Sequence, residues 1–432
     1  MSRKSFMVVF NDDLNIGNFS ENLHYTLFKA ERLNKKVKLI RKRMFFEKFL
    51  KKVFNRKQLT GVYRLHGALI DSHYTLIDRA LELFYGFYFW SNLISRAILW
   101  KLKILRKLEL KTISRGETDI FNIENKGIFD VGSMGAVNWS SLLEKKQDLF
   151  FCSKDEKKCQ ENLRQLGVGE GQWYVCLHIR TSFYHSSYMD EHRNSSVENY
   201  LEAINYIHSL GGVVIRLGDP VFLGYEDAYI DYPNTSFKSE LMDLFLIKNC
   251  RFFWGTNSGI FDTALLFGVP TLAVNVSDFL FIRPYKSADR IIYKPILSRE
   301  EGKIMSFEEV FRHTDSIMMS NIGLSGFEAF DKDYKMVENT SDEIRQVIEE
   351  MCVGFENDLP ETYFQQAFKA QLNIAAIRWA TQKFSDRHLN NAYRIAAKTY
   401  FSGRIGRHFA EKYLYGTPDL PHDKERCYEA EQ

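Results

Sequence analysis

Four short polar segments in the second half of the sequence could bind a charged ligand, because each directly follows an apolar run of strand length. In an open parallel sheet, the segments that follow the strands meet at one edge, and ligands bind there. We therefore expect them to line a single crevice. The segments are 180–185 after the run 173–179, 218–220 after 213–217, 256–259 after 251–255, and 275–278 after 271–274.

The segment Thr256, Asn257, Ser258 and Gly259 leads directly into a predicted helix. Small polar residues and a glycine at a helix start expose backbone N–H groups, and the helix dipole adds positive potential. This combination binds phosphate or pyrophosphate. Because Thr, Asn and Ser are also common helix caps, the segment alone fits either a phosphate site or an ordinary cap.

Charged residues at the other strand ends extend this prediction. Arg180 and Arg216 lie at the ends of two apolar runs, where a guanidinium group would enter the crevice and contact phosphate oxygens. A salt bridge is the alternative role for each arginine. Asp219 could bind a ribose or sugar hydroxyl, although an aspartate before a proline also forms turns. His178 is expected to be packed and hydrogen-bonded rather than catalytic.

The turn at 11–18 occupies the equivalent position in the first half of the chain. Group transfer to a hydroxyl needs a base that removes the hydroxyl proton, and a carboxylate or an imidazole suits that role. Glu21 and His24, which share one face of a predicted helix, are candidates, and Asp13 is a third. Asp13 also fits a helix cap. Gly17 would let a ligand approach the backbone closely.

Several kinds of site are not supported by the sequence. No spacing matches a serine triad, a Walker A loop, a G-x-G-x-x-G fingerprint or a D-x-D pair near a strand end. The six cysteines are scattered, which argues against a zinc site and a disulfide scaffold. We therefore expect no bound metal, no cofactor and reduced thiols. The apolar stretch 5–10 is too short for a signal peptide, so a cytoplasmic location is expected.

The elements that position these residues follow an α/β pattern. Residues 5–40 predict a strand, an amphipathic helix and a second strand, and 173–275 alternate between apolar runs and helical segments. That alternation predicts a parallel, doubly wound sheet. A glycine cluster at 167–171 predicts a domain boundary. The predicted units are a Rossmann-like domain at 1–168, a second Rossmann-like domain at 169–340, and a helical C-terminal extension at 341–432.

Positive charge is concentrated in the first half, although the net charge is only +3. Basic residues dominate 29–57 and 101–111, and an aromatic run, 83–100, precedes the second cluster. The uncharged part of that run is shorter than the roughly 20 residues that a spanning helix needs. Two interpretations fit equally well: a solvated basic face, or peripheral contact with an anionic membrane. No nucleic-acid motif accompanies the charge, so no nucleic acid partner is expected.

The block 255–259 with 264–270 resembles GT-B glycosyltransferases, in which a strand, a small polar turn, a helix and a G-x-P step end the nucleotide-sugar domain. Heptosyltransferases and some fucosyltransferases share this pattern loosely. The sequence more closely resembles a family of bacterial glycosyltransferases from surface-polysaccharide loci. The matching pieces are 16–19, 178–180, 193–194 with Tyr200, 212–220, 238–239 with Asp243, and the block itself.

The resemblance implies two facing Rossmann-like domains, with the acceptor bound by the first and a nucleotide-sugar donor by the second. It places the acceptor and the base near Gly17 and Asn18. Heptosyltransferases carry an aspartate where this sequence has Asn18, and an amide cannot accept the proton. The base is then Glu21, His24, Asp13 or another residue. The expected donor-binding residues are Arg180, Arg216, Asp219, Lys238, Ser239, Thr256, Asn257, Ser258 and Gly259.

The expected function is transfer of a sugar from a nucleotide-sugar donor to a glycan or lipid-linked acceptor during synthesis of a bacterial surface polysaccharide, such as O-antigen or capsule. The protein would work in the cytoplasm or peripherally on the inner face of the cytoplasmic membrane. The alternatives are a nucleotide-sugar epimerase or hydrolase on the same fold and a non-catalytic glycan-binding protein.

Overall fold

The structure is a computed structural model, and it describes most of the second half of the chain and parts of the first half. The segments 41–57 and 83–111, which carry much of the predicted basic and aromatic surface, lie outside the described residues. So do Asp13, Asn257 and residues 381–400 of the predicted helical extension. The described residues are 6–10, 16–32, 36–40, 64–70, 76, 79, 118–122, 127–131, 148–181, 192–256, 258–277, 279, 284–312, 330–355, 357, 359–380 and 401–416.

The first half begins with a β-α-β unit, as its sequence pattern predicts. Strand β1 and strand β2 pair in parallel, and helix α1 between them buries Phe19, Leu23, Leu27 and Ala30 on one face. On the other side of β1, away from β2, the sheet is antiparallel: β4 pairs with β1, and β5 pairs with β4, in antiparallel orientation. The elements are β1 (Phe6–Phe10), α1 (Ile16–Arg32), β2 (Lys36–Ile40), β3 (Leu65–Gly67), β4 (Thr118–Asn122), β5 (Gly127–Val131) and β6 (Leu149–Phe151).

The second half is built on a larger sheet of six strands among the described residues, all paired in parallel. Its apolar runs are buried on both faces because helices cover the sheet, which explains their continuous hydrophobic pattern. The elements up to the middle of this sheet are α2 (Ser153–Gln165), β7 (Tyr174–His178), α3 (Leu201–Ser209), β8 (Val213–Leu217), α4 (Glu240–Asn249), β9 (Phe253–Gly255), α5 (Gly259–Leu266) and β10 (Thr271–Val276).

The remaining elements close the sheet and cover it. They are β11 (Arg290–Tyr293), β12 (Ile296–Ser298), α6 (Phe307–Arg312), β13 (Tyr334–Met336), α7 (Ser341–Gly354), α8 (Tyr363–Ala380), β14 (Arg404–Ile405) and α9 (Arg407–Tyr413). The strand order of the sheet is β14-β11-β10-β9-β7-β8. The predicted α/β class with a parallel sheet is therefore confirmed. The C-terminal segment, predicted to be helical, also contributes the outermost strand of the sheet, because β14 pairs with β11.

Local sequence explains where two of these helices begin. The Thr340 hydroxyl caps α7 by accepting a hydrogen bond from the Glu343 backbone N–H, and the Glu343 carboxylate accepts a hydrogen bond from the Thr340 backbone N–H. This reciprocal arrangement satisfies two N–H groups that a helix start otherwise leaves unpaired. Ser239 caps α4 in a simpler way, since its hydroxyl accepts a hydrogen bond from the Met242 backbone.

Helix α1 packs against helix α5 through small residues, and this contact joins the two halves of the chain. A Cβ atom added to Gly17 would lie 2.2 Å from the backbone oxygen of Gly259. Farther along the same crossing, the hydroxyls of Ser20 and Thr263 are 2.9 Å apart in a buried hydrogen bond. Both contacts advance in the same chain direction, so the helices cross with their N-terminal ends together. Gly17 is therefore required for helix packing.

Replacing Gly17 with alanine should destabilise the protein by about 1–3 kcal/mol, because the added methyl group meets backbone atoms that cannot rotate away. The free energy of unfolding in urea measures this. Gly169→Ala is the control, since a Cβ atom there meets only the Gln172 side chain, at 3.4 Å. Unchanged stability for Gly17→Ala would contradict the close helix contact.

Candidate active site

The order of strands in the larger sheet creates a crevice between β7 and β9. After β7 the chain adds β8 on one side, and it then returns to add β9 on the other side. Open parallel sheets bind ligands at such a switch point, beyond the carboxyl ends of the strands. Here β7 ends at His178 and β9 ends at Gly255, and these two residues are partners in the sheet.

The backbones at this crevice approach each other closely. Gly255 has φ +132°, and a Cβ atom there would lie 1.9 Å from the carbonyl oxygen of His178. No residue with a side chain fits that position without moving β7. The Thr256 backbone then donates a hydrogen bond of 2.9 Å to the same carbonyl. The turn after β9 is thereby fixed against the end of β7.

The His178 imidazole connects three of the segments predicted from sequence. Its Nδ1 atom is 3.1 Å from the Ser258 hydroxyl, and its ring packs against Gly218, whose added Cβ atom would lie 3.2 Å from Cδ2. The expectation that His178 is packed and hydrogen-bonded is met by these contacts. His178 therefore acts as a spacer between the ends of β8 and β9.

Positive charge surrounds His178. Burial and, in decreasing order of effect, the nearby cations Arg180, Arg216, Lys238 and Arg193 together lower the pKa of its imidazole to about 3. The imidazole is therefore neutral at physiological pH. A site whose charged neighbours all disfavour a further cation is one that favours an anion.

Arg180 lies at the centre of this positive region, with 5% of its surface exposed. Its backbone N–H donates a hydrogen bond of 2.8 Å to the hydroxyl of Thr256, which is fully buried. Its carbonyl accepts a hydrogen bond of 3.0 Å from the backbone of Ser195. Both sides of the Arg180 backbone are thus held in place, so that the position of the side chain at the crevice is well defined.

Arg216 has a different environment. It is 1% exposed, forms an ion pair with Asp231, and donates to the carbonyls of Asp219 at 3.1 Å and Val221 at 2.8 Å. These partners lie on the segment that follows β8. Its guanidinium group consequently holds that segment on the sheet, which is the salt-bridge alternative considered for this residue.

Lys238 and Ser239 are also engaged within the chain. The Lys238 ammonium group lies 2.7 Å and 2.8 Å from the two carboxylate oxygens of Asp243. Ser239 is the cap of α4. The positive potential that Lys238 contributes near His178 is therefore partly compensated by Asp243. Asp219 is partly buried, and its backbone carbonyl is the atom that Arg216 contacts.

The side chain of the residue that caps α5 forms no hydrogen bond with the backbone N–H groups at the start of this helix. Ser258 stands at the N-cap position in extended conformation, but its side chain forms no cap hydrogen bond. The hydroxyl is used by His178 instead. Of the two interpretations of the segment 256–259, the ordinary side-chain cap is therefore absent at Ser258, and the phosphate site stays a prediction.

The predicted bases in the first half differ in their surroundings. His24 is 2% exposed in the packed face of α1, where burial does not favour proton exchange with a substrate hydroxyl. The side chains of Asn18 and Glu21 lie outside the described residues, like Asp13. Glu21 and Asp13 stay predictions.

Asp262 and Arg193 are two residues of the site that the sequence did not single out as functional. Asp262 lies in the first turn of α5, and burial raises the pKa of its carboxyl group to about 7 while Arg193 opposes the rise. Asp262 lies between the two pieces of the matched block, 255–259 and 264–270, and Arg193 belongs to the matched piece 193–194. These positions in the matched pattern were the available signal.

A buried polar network fixes the segment that carries Arg193. Asn275 has φ +53°, an uncommon conformation for a non-glycine residue. It exchanges hydrogen bonds of 2.7 Å and 2.6 Å with Asn339, and its amide donates to the Ser195 hydroxyl at 2.9 Å. The Lys294 ammonium group donates to the Asn194 carbonyl at 2.7 Å. Asn275 near the end of β10 and Lys294 after β11 therefore anchor residues 194 and 195, next to Arg193.

Two kinds of feature are not found among the described residues. They contain no group of three or more histidine, cysteine, aspartate or glutamate residues arranged to hold a metal ion. In the same part of the chain, no helix has the length and apolar composition needed to cross a membrane.

The fold and the position of the crevice define an α/β protein with a Rossmann-like parallel sheet. Comparison with solved structures finds a family 9 glycosyl transferase from Veillonella parvula, with 11% identity, a TM-score of 0.39, and coverage of 82% of this chain and 99% of that chain. The dodecameric iron-containing heptosyltransferase TibC in complex with ADP-D-beta-D-heptose has 11% identity, a TM-score of 0.32, and coverage of 81% and 77%.

A second TibC structure, described as an iron-containing dodecameric glycosyltransferase from enterotoxigenic E. coli H10407, has 11% identity, a TM-score of 0.25, and coverage of 64% and 59%. No protein-family model and no curated protein matches the sequence.

Replacing Arg216 with methionine should lower the free energy of unfolding by about 3–5 kcal/mol, because it leaves the Asp231 carboxylate unpaired in a mostly buried position. Urea unfolding measures the loss. Arg164→Met is the matched control: its ion pair with Glu161 is on the surface, and the expected change is below about 1 kcal/mol. If Arg216→Met kept full stability, Arg216 would not be the residue that holds the segment after β8.

Proposed function

We propose that this protein is a glycosyltransferase that moves a sugar from a nucleotide-sugar donor to a glycan or lipid-linked acceptor. The observation that carries the proposal is the conjunction at the switch point of a neutral His178, surrounding cations and a helix start whose cap hydroxyl is used elsewhere. The donor's diphosphate is the anion that fits this site, because it combines several charges with many acceptor oxygens.

Each predicted donor residue has a role in this proposal. Arg180 contacts the phosphates directly through its guanidinium group, and the backbone N–H groups near Gly259 receive the phosphate oxygens. Thr256 and Ser258 fix Arg180 and His178 by their hydrogen bonds. Asn257, which lies between Thr256 and Ser258 in the sequence, stays a predicted donor residue. Arg216, Asp219, Lys238 and Ser239 shape the walls of the site and, in the case of the two cations, add to its potential.

The site supplies positive charge that would stabilise the departing nucleoside diphosphate. As the bond between the anomeric carbon and the phosphate oxygen breaks, negative charge grows on that oxygen. Arg180, Arg193 and the dipole of α5 are fixed before the reaction begins, so they stabilise this charge without rearranging. This is the contribution to catalysis that the described geometry best supports.

We propose Asp262 as the group that removes the proton from the acceptor hydroxyl. It lies in the first turn of the helix whose start would hold the diphosphate, on the half of the helix nearest the crossing with α1. A carboxyl pKa of about 7 suits a general base at physiological pH. The acceptor would then lie beside the packed contact between α5 and the Gly17 end of α1.

The acceptor that we propose is a growing bacterial surface polysaccharide, such as O-antigen or capsule, on a lipid carrier. The resemblance to glycosyltransferases of surface-polysaccharide loci supports this assignment. The basic residues in 29–57 and 101–111 suit peripheral contact with the anionic inner face of the cytoplasmic membrane. The protein would then act in the cytoplasm, beside its lipid-linked substrate.

Arg180→Ala should weaken the binding of pyrophosphate and nucleoside diphosphates by about 10- to 100-fold, since it removes hydrogen bonds between charged groups. Isothermal titration calorimetry measures the affinities. Arg180→Lys keeps the charge but loses the planar guanidinium group, so its affinity should lie between those of the unmodified protein and Arg180→Ala. Arg164→Ala is the control on the surface. Unchanged affinity in Arg180→Ala, together with no transfer of sugar by the unmodified protein, would favour a non-catalytic glycan-binding protein instead.

Asp262→Asn should lower the transfer rate by about 100- to 10,000-fold while leaving the binding of nucleoside diphosphate nearly unchanged. In the unmodified protein, kcat/KM should rise with pH through about 7, because only the ionised carboxylate accepts a proton. Glu301→Gln, at an exposed ion pair, is the control.

A retained rate and pH profile in Asp262→Asn would move the base to Glu21 or Asp13. Turnover of donor in the absence of any acceptor would instead indicate the epimerase or hydrolase alternative.

A further inference from the structure

The loop that follows β8 carries two aromatic side chains that are open to solvent. Phe222 is 77% exposed and Tyr225 is 49% exposed, which makes them two of the most exposed large apolar residues among those the structure describes. Single exposed apolar side chains are common on protein surfaces. Here two of them lie on one loop, which follows a strand of the candidate site. We call residues 218–229 the aromatic loop.

The aromatic loop begins inside the candidate site. Gly218, its first residue, has φ +118° and packs against the His178 ring, which in turn is hydrogen-bonded to Ser258 at the start of α5. From Gly218 to Phe222 the chain can extend by at most about 14 Å. The carbonyl of Val221, the residue before Phe222, accepts a hydrogen bond of 2.8 Å from the Arg216 guanidinium group, which is close enough to His178 to lower the pKa of its imidazole. Phe222 therefore lies beside the candidate site.

Internal hydrogen bonds hold the aromatic loop in one conformation. The buried guanidinium group of Arg216 donates to the carbonyls of Asp219 and Val221, and the Asn234 side chain donates to the Val221 carbonyl at 3.2 Å. Farther on, the Tyr229 hydroxyl donates to the Gly224 carbonyl at 2.7 Å. The loop is therefore built before any ligand arrives, and binding would not have to order it.

Tyr225 adds a sign of constraint. Its φ of +58° lies in the left-handed region, which a bulky residue rarely adopts and which costs of order 1–3 kcal/mol. Such a conformation persists when the surroundings impose it. An aromatic residue held at this position, where glycine would be unstrained, suggests that the ring itself is required.

We propose that Phe222 and Tyr225 form a stacking surface for the planar base of the nucleoside diphosphate whose phosphates bind at Arg180 and the start of α5. This inference rests on the proposed function. A base is the part of a nucleotide-sugar donor that matches an exposed aromatic ring, because its flat π-face stacks without needing hydrogen bonds. Asp219, on the same loop between Gly218 and Phe222, is then placed for the ribose hydroxyls.

The test is calorimetric titration of the full chain with inorganic pyrophosphate and, separately, with UDP, GDP, ADP and CDP. The unmodified protein should bind pyrophosphate and should bind one or more nucleoside diphosphates more tightly. Phe222→Ala should weaken the nucleoside diphosphate by about 5- to 100-fold, from the usual strength of base stacking, and leave pyrophosphate unchanged. Phe222→Trp should retain tight binding. Tyr363→Ala, also 49% exposed in the unmodified protein but on α8, is the control.

The outcomes distinguish a failure of the proposed function from a failure of the stacking surface. If the unmodified protein binds neither pyrophosphate nor any nucleoside diphosphate, the proposed function fails and the stacking surface fails with it. If pyrophosphate binds and Phe222→Ala binds nucleoside diphosphates as tightly as the unmodified protein, the stacking surface is overturned while the phosphate site stands.

Discussion

The contact between the carboxyl ends of β7 and β9 is the constraint on which the candidate site depends. Gly255 lets the His178 carbonyl approach its backbone to a distance that no side chain permits. That approach allows Thr256 to hydrogen-bond to both His178 and Arg180. It also brings Ser258 to the imidazole, so that the following helix starts with its own cap hydroxyl turned away. One backbone contact thus determines the positions of the arginine, the histidine and the helix start.

The sequence was sufficient where short-range pattern determines structure. Apolar runs alternating with helices predicted the parallel sheet, and the polar segments after its strands predicted the crevice. The sequence could not predict what each side chain contacts, because the partners are distant or lie in irregular segments. Arg216 looked like a phosphate ligand since its partner Asp231 lies in an irregular segment without a recognisable motif. Ser258 looked like a cap because nothing in the sequence indicates that His178, far earlier, takes its hydroxyl.

The same limit explains the differences in the fold. Antiparallel pairing of β4 with β1 follows from tertiary packing, and short apolar segments carry no signal of direction. Strand β14 is too short to show any periodicity, and it is defined only by its pairing with β11. Gly17 was interpreted as a ligand-facing glycine, whereas its neighbour is the backbone of Gly259. A glycine in the sequence can indicate that another group lies close to the backbone, but it does not show whether that group is a ligand or another segment of the chain.

The electrostatics of the site follow from how its cations are compensated. Arg216 and Lys238 are matched by Asp231 and Asp243, so their main effect is to hold loops in place at little net charge. A phosphate that entered between such pairs would have to break them. Arg180 is also fixed through its backbone, which donates a hydrogen bond to the Thr256 hydroxyl and accepts one from the Ser195 backbone. All of these cations lower the pKa of the buried His178, so the region as a whole favours an anion over a further cation.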